Sequence, residues 1–305
     1  MPFNLGAYAS VPDFIDGITR EIWQDRGIGA KLQRYYAADI VLRAATGLTS
    51  SCAGVVAQTL QTLHQFPDRQ LVSEDVIWAG IDERTFLSSH RLTSVMRHTG
   101  DGSLGLASGR QVRSRIIAEC CVQDGVVVEE WLVRDHAAIA LQLGRSPQAL
   151  AQAWLDQRGG WHKPVAGSAP AGYLSAISTE PLASRYAAAI EGLANAADAL
   201  NTLSALYDDA AHHTGPGGIA RYGQQAIGQY WSGLFGSLHT QTFALEHLAW
   251  QQGGDRPDRV ALRFRAKTVH SACHTDLECY GKSSGKEVEV LAIVHAEFCQ
   301  GRILR

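Results

Sequence analysis

Between residues 88 and 135 apolar and polar side chains alternate with a period of two, in three runs separated by glycine-bearing turns at 100–109 and at Asp124-Gly125. Such alternation marks half-buried strands, and Asp-Gly between two β-rich runs predicts a hairpin. On the last run Val127, Glu129, Trp131, Val133 and Asp135 share one face, while Val126, Val128, Glu130, Leu132 and Arg134 share the other. The face that carries Trp and Asp together reads as the wall of a partly apolar pocket. Strands are expected over 70–79, 85–98, 112–122 and 126–135. Ahead of them, apolar spacing predicts helices over 13–23, 31–41 and 53–65. The third is stopped by Phe66-Pro67-Asp68, because the residue before proline is pushed out of the helical region. A short turn or helix is expected over 136–143, and Ser146-Pro147 opens another helix that runs to about 157. Helices followed by antiparallel strands predict an α+β fold, with helices covering one face of a curved, mostly antiparallel sheet.

The same order returns in the second half. A long helix is expected over 182–207, another over 226–238, and strands over 242–250, 260–275, 287–298 and from 302 onward. Shifting the chain by 176 aligns 98–125 without gaps and matches His98 to His274, Ser108-Gly109 to Ser284-Gly285, and Gly125 to Gly301. A shift of 172 brings Tyr35, Glu74 and Trp78 onto Tyr207, Glu246 and Trp250. The four-residue difference is assigned to the turn at 251–258, rich in Gly, Asp and Pro, since insertions belong in turns. The chain thus reads as two copies of one domain, over 1–145 and 181–305, joined by a helix and a Gly/Pro-bearing linker over 146–180. The position matching Asp135 in the second copy would be 311, so the last strand of that copy reads as cut short.

Composition narrows the function. A length of 305 residues suits two ordinary domains. A net charge of −3 gives no electrostatic footprint for nucleic acid. No apolar run approaches the length of a membrane helix, and the N-terminus has no signal-peptide pattern, so a cytoplasmic location is expected. The six cysteines form no CxxC pair and read as buried thiols. No metal site is expected.

The motifs Phe66-Pro67-Asp68, Ser108-Gly109-Arg110-Gln111-Val112, Asp124-Gly125, Glu129-Glu130-Trp131, Asp135 and Gln142-Leu143-Gly144 follow one another at spacings that resemble the nuclear-transport-factor-2-like superfamily, and within it the SnoaL-like polyketide cyclases. The resemblance covers about 23–144, and more weakly 200–305. It implies two cone-shaped α+β domains, each with a cavity between helices and sheet, and cofactor-free chemistry on a small hydrophobic molecule. In the cyclases the Asp on the final strand is the acid/base of an intramolecular aldol closure, a role that falls here on Asp135. The cyclases also carry a His on the preceding strand, around 119–121, where this chain has none.

From the residues themselves, Asp135 is the expected base, or else a carboxylate that pairs with a neighbouring arginine or caps the segment 137–143, and His90 and His98, which share a strand face with Met96, are the expected carbonyl polarisers. Trp131, Glu129, Tyr36, Trp78, Met96, Glu119, His274 and His295 are expected to line the ligand site. The reaction would be a cyclisation, isomerisation or hydration of a hydrophobic carbonyl compound. The alternative is a non-catalytic ligand-binding or assembly module, with the two domains pairing within the chain as a pseudo-dimer, or two chains pairing as a homodimer.

Overall fold

The computed structural model describes residues 3–160, 176–195, 200–271 and 280–305. It divides into two units, Met1–Leu174 and Ser175–Arg305. The first unit opens with α1 (Val11–Thr19), which continues through one wider turn, Arg20–Gln24, and then α2 (Ala30–Tyr35). Next come β1 (Tyr36–Ala44), β2 (Gly47–Thr49) and α3 (Cys52–Gln65). Four long strands follow, β3 (Gln70–Gly80), β4 (Thr85–Arg97), β5 (Gln111–Gln123) and β6 (Val126–Arg134), and α4 (His136–Gln142) and α5 (Pro147–Gln157) close the unit. The six strands form one curved sheet in the order β2-β1-β6-β5-β4-β3. All neighbours are antiparallel except β1 and β6.

Local chemistry accounts for most of these boundaries. The Oγ of Ser51 accepts the backbone N–H of Gly54 at 3.1 Å and starts α3. A Ser51→Ala variant is expected to lose about 1 kcal/mol of stability, read as a fall of roughly 2–4 °C in the melting temperature of the first unit. Asp124 and Gly125 adopt φ of 51° and 81°, the two positive values that a tight type I′ hairpin requires. Residues 31–41 correct the sequence reading. The helix stops at Tyr35 and the chain turns into β1, whose register pairs Tyr36 with Val127 and Leu42 with Glu130. The spacing of Leu32, Tyr35 and Tyr36 satisfies a helix, but a parallel partner some ninety residues later in the chain overrides it.

The second unit contains α6 (Pro181–Asn195), α7 (Leu200–Ser204), a small hairpin of β7 (His212–Thr214) and β8 (Ala220–Tyr222), and α8 (Gly223–Ser237). These precede β9 (Leu238–Gln251), β10 (Asp258–His270), β11 (Glu287–Cys299) and β12 (Arg302–Ile303), an antiparallel sheet in the order β12-β11-β10-β9. The single helix expected over 182–207 is α6 and α7, with 196–199 outside the described residues.

The two units repeat each other down to individual bonds, and this relocates the insertion. In β3 and β4 the register skips from Ser73–Leu92 to Asp75–Arg91, leaving Glu74 in a bulge; in β9 and β10 it skips from Leu245–Phe264 to His247–Arg263, leaving Glu246 in the matching bulge. Each bulged carboxylate is ion-paired to the arginine across from it, Glu74 to Arg91 at 3.1 Å and Glu246 to Arg263 at 3.0 Å. The backbone N–H of Thr99 bonds the Gln65 carbonyl, and that of Ser271 bonds the Ser237 carbonyl. All these pairs are 172 apart, so His98 matches His270, not His274. Both histidines place Nδ1 at 3.2 Å from a serine Oγ, Ser108 and Ser284, and both bond the backbone of the next two residues, Gly109 and Arg110 or Gly285 and Lys286. The shift becomes 176 only between His270 and Ser284, so the four extra residues lie in the β10–β11 connection and not at 251–258.

Candidate functional site

Period-two geometry and the helices decide which sheet face looks inward in the first unit. Ile15, Ile18 and Thr19 from α1, Val55, Gln58 and Thr59 from α3, and the even-numbered residues of β4, β5 and β6 enclose a cavity of about 60 Å³. At about 30 Å³ for each water in the liquid, that volume has room for roughly two waters. The sheet contributes Tyr36 and Leu42, then His90 and Leu92, Ile116, Ala118 and Cys120, and finally Glu130, Leu132 and Arg134. The wall is mostly aliphatic, so each polar group in it sits in a poor solvent for charge.

Two polar groupings stand out. His90, 3 % exposed, places Nε2 at 3.1 Å from a carboxylate oxygen of Asp16 on α1 and at 3.0 Å from the Oγ of Ser73, with Thr19 Oγ1 at 3.5 Å from Nδ1. Burial alone would raise the Asp16 carboxyl, but its hydrogen bonds with His90 and Ser73 prevail and hold it below the ordinary carboxylate value. Asp16 is therefore an anion that orients the imidazole. The second grouping is Glu130, whose Oε2 accepts the Tyr36 hydroxyl at 3.0 Å. Burial pushes its carboxyl up to about 7, against the opposing pull of that hydrogen bond and of the Arg134 charge. Burial, then the charge of Glu130, raises the Tyr36 phenol, so it stays neutral and donates. Arg69, between α3 and β3, also lines the cavity.

Of the residues expected from the sequence, His90 and Tyr36 line this cavity. Asp135 does not. Its carboxylate accepts the Ala138 N–H at 2.9 Å and caps α4, and it lies on the strand face turned away from the cavity. The expectation that the Trp131–Asp135 face is the pocket wall is thereby corrected: the pocket wall is the Glu130–Leu132–Arg134 face. Glu129 is ion-paired with Arg43, whose guanidinium lies 5.0 Å from the Trp131 ring centre, on that same outer face. Glu119 faces Trp131 in the β5–β6 register, again away from the cavity. Burial, with Asp101 opposing and Arg145 assisting, lowers the imidazole of His98, which packs 5.3 Å from Phe66 in a separate cluster that also holds Met96. Trp78 packs edge-on against Phe3 and Phe86. His295 lies on β11 opposite the face that carries Val294 and Ala296 into the second unit's core. His274 lies outside the described residues.

The residues that sequence reasoning missed are Glu130, Arg134, Arg69 and Asp16. Glu130 and Arg134 were visible as two charges sharing one face with Leu132, a costly pattern in an otherwise apolar strand. Arg69 and Asp16 reach the site only through tertiary packing.

The second unit's counterparts of the cavity wall are larger and less polar. At the shift of 172, His90 becomes Leu262, Leu92 becomes Phe264, Leu71 becomes Phe243, Gln58 becomes Tyr230 and Thr59 becomes Trp231. These side chains form the second core, with Trp231 Nε1 donating to the Tyr207 hydroxyl at 3.0 Å and that hydroxyl 3.1 Å from the Tyr186 hydroxyl.

Comparison with known proteins bears on both units. The family model of the SnoaL-like polyketide cyclases matches residues 15–143, and that of the SnoaL-like domain matches residues 184–305. Among solved structures, AclR from Streptomyces galilaeus is 25 % identical, covering 42 % of this chain and 94 % of its own, at a TM-score of 0.37. TsrD from Streptomyces laurentii is 18 % identical over 43 % of this chain and 94 % of its own, at 0.37. A SnoaL-like polyketide cyclase from Agrobacterium tumefaciens is 15 % identical over 45 % of this chain and 100 % of its own, at 0.36. No curated protein matches the chain.

Proposed function

The chain belongs to the SnoaL-like family, with one such domain in each half, and from that premise we propose that its first domain binds a small hydrophobic carbonyl compound and carries out cofactor-free acid/base chemistry on it. The observation that carries this reading is Glu130: a buried carboxyl, held by Tyr36 in an aliphatic cavity, with a pKa near 7. A base poised near the operating pH is the requirement for proton abstraction next to a carbonyl. Ionised Glu130 takes the proton from the carbon beside the carbonyl, the C–H bond breaks, and the electron pair becomes an enolate. In a cyclisation that carbon then bonds to a second carbonyl carbon, whose oxygen takes a proton from His90. The Asp16 carboxylate, 3.1 Å from Nε2, fixes the orientation of the imidazole that supplies it. The same steps without ring closure give an isomerisation.

The second domain is proposed as a non-catalytic module, because Leu262, Phe264, Tyr230 and Trp231 occupy the positions that bound the first domain's cavity.

Ethyl acetoacetate in D₂O tests the first proposal. The full chain is expected to accelerate deuterium uptake at the central carbon, followed by NMR. Glu130→Gln should slow that uptake by about 10²–10⁴-fold, the usual worth of a general base. Exchange no faster than in buffer, or unchanged in Glu130→Gln, would remove the assignment.

A further inference from the structure

The cavity holds more positive charge than the proposed acid/base chemistry uses. Arg69 is 6 % exposed, and its guanidinium makes no hydrogen bond or ion pair with any described residue. The charges that act on it are those of Arg134 and Arg26, both of the same sign. Burial and these neighbours bring Arg69 down to about 9, so it is still a cation at neutral pH. Arg134 also lines the cavity, and its Nε is buried without a hydrogen-bond partner. Asp16 is committed to His90. The remaining carboxyl in the wall, Glu130, is a single group whose ionisation burial opposes, so it cannot balance two guanidinium groups.

An uncompensated buried cation costs several kcal/mol, and a fold keeps such a group when a ligand completes it. The rest of the wall is aliphatic, with Ile18, Leu71, Leu92, Ile116 and Leu132 around the two arginines. Resting on the reading that this cavity is the ligand site, we propose that the ligand is an amphipathic organic acid: its carboxylate lies between the guanidinium groups of Arg69 and Arg134, and its apolar part lies against the aliphatic wall. A guanidinium offers paired N–H donors that match a carboxylate's two oxygens. The small free volume favours a short chain over a fused ring system.

Glu130 makes binding depend on pH. It is faced by Tyr36 from β1, Cys120 from β5 and Arg134 on its own strand, with Arg69 and His90 elsewhere in the wall and Asp16 behind His90. Above pH 7 Glu130 ionises and competes with the ligand for the same cations, so affinity for the acid falls as pH rises from 6 to 8.

Calorimetric titration of the full chain with hexanoate and with hexanol separates the outcomes. The two probes share an apolar tail and differ in charge, and hexanoate stays ionised over this pH range. Hexanoate is expected to bind ten- to hundredfold more tightly than hexanol at pH 6, the worth of one or two charge-assisted hydrogen bonds. That preference should shrink at pH 8. Arg69→Gln should bring the ratio close to one through weaker hexanoate binding, and Arg69→Lys should keep part of it. Equal binding of the two probes by the unaltered chain would overturn the acid assignment and leave the cavity reading standing. Binding of neither would overturn both.

Discussion

Glu130→Gln is expected to stabilise the protein at pH 8 by about 3 kcal/mol, the free-energy equivalent of moving a carboxyl from its ordinary value to about 7. The sign follows from proton linkage. The folded state binds this proton more tightly than the unfolded state does. The contribution of Glu130 to stability is therefore fully present below about 4.5, and is lost as pH rises through about 7. Glutamine keeps the shape and a partner for Tyr36 but never ionises. His136 works in the opposite direction. Burial, then the charge of Arg134, lowers its imidazole to about 4, so the stability it contributes is present above 6.5 and lost as pH falls through about 4. Between pH 4.5 and 6.5 the Glu130 slope opposes those of His136 and of His98, which burial also lowers, so the pH dependence of the unaltered chain is partly cancelled. In Glu130→Gln only the two histidine slopes remain over that window, and the melting temperature should rise more steeply with pH. Melting curves at half-unit pH steps check this. The variant should melt about 6–10 °C higher at pH 8 and lose that advantage towards pH 4.5. Equal melting temperatures at pH 8 would mean that Glu130 is not held at a high pKa, and the proposed base would go with it.

Exchanging one residue between the two halves should produce the second large effect. Thr59 and Trp231 occupy the same place on α3 and α8, fixed by the matching bonds from Thr99 to Gln65 and from Ser271 to Ser237. Thr59→Trp puts an indole into a cavity of about 60 Å³. Hexanoate and hexanol should both lose at least a hundredfold in affinity, while overpacking costs about 1–3 kcal/mol. The reverse change, Trp231→Thr, empties a packed site. It removes the donor to Tyr207 and leaves a void between Tyr230 and Phe235, which ring against Trp231 at 5.4 and 6.2 Å. A cost of about 3–5 kcal/mol is expected, the range for large aromatic truncations. Chemical denaturation of both variants, with the titrations above, distinguishes a cavity that serves a ligand from a packing defect. If Thr59→Trp bound hexanoate unchanged, the site would have to lie elsewhere.

Much of this architecture was legible in the residues. The Ser146 cap, the Phe66-Pro67-Asp68 stop, the Asp124-Gly125 hairpin and the alternation of β3 to β6 are local signals, and local chemistry sets them. The duplication was legible as well. Its offset was misplaced because eight identities at 176 include His98 against His274, whereas hydrogen bonding matches His98 to His270. Strand β1 was not legible, since its partner β6 is remote in sequence and Leu32, Tyr35 and Tyr36 also satisfy a helix. Alternation along β6 separated its faces cleanly but carried no information about which one α1 and α3 would cover. That single choice moved the proposed base from Asp135 to Glu130. His90 was legible as an imidazole on one strand face with Met96; Asp16, on a helix in the N-terminal part of the chain, had no local mark of its role.

The histidine–serine clasps at His98 and His270 insulate the sheets from whatever happens beyond them. Each ties the strand end to the start of the next strand with the same three bonds, although one enclosed segment is four residues longer than the other. Length and sequence between the clasped ends can therefore drift, or be lengthened by grafting, without displacing a single rung of the ladder behind them. Such a place lets one half of a duplicated gene acquire a new surface while its framework stays in step with its twin.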